Sequence, residues 1–163
     1  MFRLFITMWL GIFAGSAYSE ELPGKISADE FSDAIDTTAK RHGVETRIAE
    51  LNRCANSKRF YCHYDLLDNI RLVASSQRRG QFSDNAAIFF RPNTDPGLVL
   101  ALTELVIEVV EPAMLRETRN SYALMLTTGL VSRKDVEVSS DEVSYASTFV
   151  GGFWVSATVR EQK

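Results

Sequence analysis

Residues 96 to 111 impose the first constraint on the fold. They lie between Pro96 and Pro112, and their apolar members, Leu98, Leu102, Leu105, Val106, Val109 and Val110, follow helical spacing. Asp95 is placed to cap the first turn. Pro96 suits the first helical position, where an N–H would have no partner, and Pro112 cannot continue the ladder. Glu104, Glu108 and Glu111 form the opposite stripe. A helix with so wide an apolar face must be laid on another layer.

The rest of the chain supplies a sheet as that layer. Arg59 to Leu66 alternates cleanly, with Phe60, Cys62, Tyr64 and Leu66 on one face. Ile70 to Ser75 and Ala86 to Arg91 read as two further strands, separated by the polar stretch Gln77 to Asn85. Val44 to Arg53 has spacing that suits a helix, but its β-branched content and its place before a turn favour a strand. The chain finishes with Val143 to Val150 and Phe153 to Arg160 flanking Gly151-Gly152, a two-residue hairpin signal. That turn pairs Val150 with Phe153, Phe149 with Trp154, and Tyr145 with Thr158.

Two further helices are expected. Ser27 and Glu30 have the spacing of a capping box, and Phe31, Ala34, Ile35 and Thr38 continue it with helical period. Gly43 after His42 is a stop, so this helix covers residues 28 to 42. A shorter one covers Arg119 to Thr128, with Gly129 as its stop. The order is α-β-β-β-β-α-α-β-β. Hairpins and clustered helices together define an α+β fold: an antiparallel sheet of about six strands with helices packed on one face.

The chain opens with Arg3, then an apolar run from Leu4 to Ala14, then small residues that include Ala17 and Ser19. This is the three-part layout of a secretory signal peptide, Met1 to Ser19, with cleavage after Ser19 or Ala17. The run of 11 residues is shorter than the roughly 20 that a membrane-spanning helix needs. Residues 20–163 then form a single exported domain, periplasmic or secreted, with no membrane span after cleavage. Loss of Arg3 leaves 17 Lys+Arg against 21 Asp+Glu, a net charge of −4. A mildly acidic domain lacks the phosphate-neutralising charge on which nucleic-acid affinity rests, and the basic pairs Lys58-Arg59 and Arg78-Arg79 are isolated.

Export also changes the two cysteines. Cys54 and Cys62 flank the polar turn Asn56 to Arg59, and a hairpin centred on Lys58 places them opposite each other. An oxidising compartment favours a disulfide between them. A metal site would need more ligands than His42 and His63 can add, and a redox pair has a closer spacing.

Three groups are candidates for function. Tyr61, His63 and Asp65 share one strand face, where a histidine oriented by an aspartate could do acid–base chemistry. A solvated outer face explains the same row. Glu104, Glu108 and Glu111 could hold a cation or supply an acid and a base, although a solvated helix face is commoner. Phe149, Phe153 and Trp154 form an aromatic hairpin tip, with Phe149 and Trp154 expected on one face and Phe153 on the other. Either that sheet is covered on both sides or one face meets a ligand. His42, at a helix C-terminus, has a structural reason to be there. No Gly-x-Ser-x-Gly, His-Glu-x-x-His, phosphate loop or dinucleotide fingerprint occurs. The chain therefore reads as a non-catalytic exported module, without a cofactor, that binds a protein or a small apolar molecule on its sheet. A small hydrolase using His63 and a purely structural envelope protein are the alternatives.

Overall fold

The computed structural model describes residues 21–46, 53–66 and 70–160. Helix α1 (Phe31–Arg41) leads into strands β1 (Arg53–Asn56), β2 (Phe60–Asp65), β3 (Arg71–Ser76) and β4 (Asn85–Phe90). Helices α2 (Pro96–Val110) and α3 (Arg116–Ser132) follow, and then β5 (Val136–Ser139), β6 (Val143–Phe149) and β7 (Phe153–Val159). The fold is α+β, and its helices and long strands come in the expected order. The signal segment lies outside the described residues, and among those residues no helix is long and apolar enough to cross a membrane.

The seven strands form one antiparallel sheet in the order β1-β2-β3-β4-β7-β6-β5. Two meanders meet where β4 pairs with β7. The chain leaves β4 for the far edge of the sheet, and α2 and α3 make that crossing. Helix α2 touches β4 and β7, and α3 touches β5 and β6. Helix α1 packs beside α2. All three helices thus lie on one face.

Burial follows that arrangement with period two. Residues Cys62, Tyr64, Leu72, Ala74, Ala86, Ile88, Phe90, Phe153, Val155, Ala157, Val143 and Tyr145 face the helices and are buried. The outward residues of these strands, among them His63, Val73, Ala87, Phe89, Ala146 and Trp154, are half-buried or exposed. Leu102, Leu105, Val106, Val109 and Val110 of α2 close the core from above. Asp95 accepts a hydrogen bond from the Leu98 N–H at 3.0 Å, so the N-terminal reading of α2 holds.

Cys54 lies directly opposite Cys62, their Cα atoms 4.1 Å apart, and the two are joined as a disulfide. The bridge ties the edge strand β1 to β2. Closing so short a loop stabilises the fold by about 2 kcal/mol.

Several local expectations are corrected. Residues 44–46 are not strand, 47–52 lie outside the described residues, and β1 begins only at Arg53. Ser27 is not a cap: its hydroxyl donates to the Glu30 carboxylate at 2.6 Å, its backbone bridges to Phe82, and α1 starts at Phe31. Gly129 does not stop α3. It lies inside the helix, and a glycine is needed there because a Cβ would come within 2.6 Å of Ser147 Oγ and 2.9 Å of the Lys134 carbonyl. The helix ends instead at Arg133, which is left-handed at φ 52°. The short strand β5 is additional to the six expected.

The last hairpin is shifted by one residue. Phe149 pairs with Phe153, Thr148 with Trp154, and Tyr145 with Ala157. The connection is therefore Val150-Gly151-Gly152, three residues, with Gly151 at φ 65°. Gly152 cannot act as a free turn residue, because a Cβ on it would come within 2.2 Å of Phe89 Cε2 and 2.8 Å of the Phe90 carbonyl. A slip of one residue on one strand changes which side chains meet. Phe149 and Phe153 share the inner face, and Trp154 stands on the outer one.

Two tyrosines anchor the core to the helical layer. Tyr64 donates to the Ala28 carbonyl, and Tyr145 donates to Glu111 Oε2 at 2.5 Å. Burial pushes the Tyr64 phenol up to about 12. Burial, followed by the bond to Glu111, pushes Tyr145 further up. In both cases the folded state holds the proton more tightly than the unfolded chain, so the contribution is fully present below pH 10 and is lost as pH rises above it. Urea unfolding free energy should therefore fall between about pH 10 and 12, and Tyr64→Phe with Tyr145→Phe should flatten that slope; an unchanged slope contradicts the assignment.

Ala86 and Ala87 give a sharper test of the sheet's two sides. A charge at Ala86 would be buried without a partner, whereas one at Ala87 would reach water. Ala86→Glu should abolish folding, and Ala87→Glu should stay within about 1 kcal/mol of the parent in urea denaturation.

Candidate functional site on the uncovered sheet face

Ladder pairing arranges the outward side chains in rows across the strands. One row runs Asp65, Arg71, Phe89, Trp154, Thr148 from β2 to β6. The next runs His63, Val73, Ala87, Ser156, Ala146. Ala87, Ser156 and Ala146 thus occupy the middle of the face, with the Phe89 and Trp154 rings toward one end and Tyr61 toward the other.

Phe89 and Trp154 are directly opposite neighbours with ring centroids 4.8 Å apart and planes tilted by 51°. The Trp154 indole N–H donates to the Val150 carbonyl at 3.2 Å, which fixes the ring against the hairpin loop. Beside Phe89, a cavity of about 250 Å³ is lined by Asp65, Leu66, Arg71, Phe89 and Arg91. Arg71 Nε donates to Asp65 Oδ1 at 3.1 Å.

Of the aromatic tip, only Trp154 therefore lies on the open face. Phe153 has no exposed surface and meets Phe90, centroids 6.1 Å apart, within the core. Phe149 packs against the core, with the Arg133 guanidinium 5.5 Å from its ring centroid. Phe89, Arg71 and Arg91 take their place beside Trp154.

Tyr61, His63 and Asp65 do share the outer face of β2. Tyr61 and His63 stack edge to face at 5.1 Å. Asp65, however, is engaged by Arg71, and no hydrogen bond links it to His63. The orienting contact that acid–base catalysis would need is not formed.

The carboxylate stripe of α2 is a packed seam and not a solvated face. Arg119 of α3 has a side chain only 8% exposed and donates from Nη2 to Glu108 at 3.1 Å. Its Nε stands 3.7 Å from Glu104, to which the Asn120 amide also reaches. From α1, His42 Nε2 meets Glu108 at 2.9 Å and Arg41 lies 3.5 Å from it. Glu108 of α2 thus meets donors from both neighbouring helices, α1 and α3, and Glu111 is occupied by Tyr145. Among the described residues, no group of three or more His, Cys, Asp or Glu side chains is placed to hold a metal ion.

Comparison with protein-family models, with curated proteins and with solved structures found no match. The class is thus defined by the molecule itself: a one-layer antiparallel sheet, covered by helices on one face and carrying an aromatic–arginine corner on the other.

Removing one member of a half-buried charge seam leaves the others unpaired, which costs more than replacing the pair. Arg119→Ala should destabilise by about 3 kcal/mol. Arg119→Met combined with Glu108→Met should cost less than Arg119→Ala alone, as read by urea denaturation. Equal or larger loss in the double variant contradicts the pairing.

Proposed function

We propose that this chain is an exported, non-catalytic binding module that meets a protein or small apolar molecule on its helix-free sheet face. The observation that carries this reading is the Phe89–Trp154 pair, two large rings on a face whose outward residues are not buried. Large apolar groups held toward water mark contact surfaces more often than isolated ones do. The rigid mounting supports the same reading: Gly152 seats the Phe89 ring, and the Val150 carbonyl holds the indole. Pre-positioned rings lose little freedom when a partner arrives.

Export rests on the amino-terminal signal layout, and the Cys54–Cys62 disulfide is compatible with a periplasmic or secreted location. A His63 hydrolase has less support, because Asp65 pairs with Arg71.

The test compares capture of partners from the native exported fraction by four chains. Whatever the parent retains should be lost with Trp154→Ala and with Ala87→Glu. Ser121→Glu, on the exposed side of α3, should retain it. Retention by both sheet variants overturns the proposal. Unfolding of Trp154→Ala would assign Trp154 to stability instead.

A further inference from the structure

We infer that the corner cavity beside Phe89 takes a small organic anion with a planar apolar body, such as an aryl carboxylate. The inference rests on the sheet-face reading and names the ligand chemistry of that same face. Two features of the corner carry it.

The first is charge. Among the described residues, Arg71 and Arg91 line the cavity against one carboxylate, Asp65, so this lining is net positive in a chain whose net charge is −3. Asp65 is occupied by Arg71 Nε. Arg91 is exposed, and its guanidinium has no hydrogen-bond or ion-pair partner among the described residues. An arginine fork matches a carboxylate's two oxygens, so an unpaired one beside an aromatic floor is suited to that group.

The second is shape. Phe89 lies in the cavity wall and Trp154 continues its surface along the same row. A planar ring laid on this pair would have its carboxylate toward Arg91, which follows Phe90 at the end of β4. The volume of about 250 Å³ lies below the usual range for drug-sized ligands, which favours a compact molecule. A neutral apolar ligand of the same shape would use the rings and leave the guanidinium idle.

Two probes separate the charge from the shape: 2-naphthoate and its neutral counterpart 2-naphthylmethanol. Each is titrated into the full chain while NMR follows the Trp154 indole N–H, distinguished from that of Trp9 by a Trp154→Phe variant. Naphthoate should shift the Trp154 signal saturably and bind about tenfold more tightly than the alcohol, the gain expected of a charge-assisted bond. Arg91→Gln should remove that advantage, leaving affinity for the alcohol within about twofold. The advantage should also shrink as salt is raised. Equal affinity for the two probes, or an advantage that survives Arg91→Gln, overturns the anion assignment and leaves the sheet-face reading standing. No saturable shift with either probe overturns the assignment as well. The sheet-face reading fails separately, if Trp154→Ala and Ala87→Glu still capture the partner.

Discussion

The ladder between β4 and β7 joins residues far apart in the chain, from Phe90 with Phe153 to Asn85 with Thr158. Closing a loop of that length has an entropic cost that local contacts cannot offset. The compensation comes from the inward pairs, Ala86 with Ala157, Ile88 with Val155 and Phe90 with Phe153, all buried under α2. Once this ladder forms, two meanders become one sheet. The α2–α3 crossing is then committed to one face, because it must travel from β4 to the far edge at β5. The outward partners of the same ladder, Phe89 and Trp154, are brought together on the face that the crossing leaves open. Core and candidate surface are two sides of one set of hydrogen bonds.

Glu108 does for the helices what β4 and β7 do for the strands. Helix α2 is buried round most of its circumference, so its carboxylates cannot all reach water. Arg119 from α3 and His42 from α1 meet Glu108 and fix the spacing of the three helices. Desolvation offsets much of the attraction within such a seam, while loss of one partner leaves an uncompensated charge. Tyr145 extends the polar connection into the sheet through Glu111.

Local signals carried much of this fold. The Pro96 to Pro112 helix was legible from its caps and apolar period. Strand β2 was legible from alternation, and the disulfide from hairpin symmetry about Lys58. What sequence alone left hidden was long-range. Alternation could have put Phe89 opposite in facing to Phe90, but nothing local sets Phe89 beside Trp154. Gly151-Gly152 read as a two-residue turn because the need for Gly152 comes from Phe89, a residue of another strand. Gly129 read as a helix stop for the same kind of reason, since Ser147 and Lys134 are what demand a glycine there. The glutamate stripe read as solvated because Arg119 and His42 arrive from other helices. Strand β5, four residues long, offered too few alternations to stand out.

The open face is the central claim, and solvent contact measures it directly. A soluble paramagnetic agent added to the full chain broadens the NMR signals of side chains that water reaches. The methyls of Ala87 and Ala146 and the Trp154 indole N–H should broaden, while those of Ala86 and Ala157 should not. Protection of Ala87 and Ala146 equal to that of Ala86 and Ala157 would show that the outer face is covered, and would contradict the account.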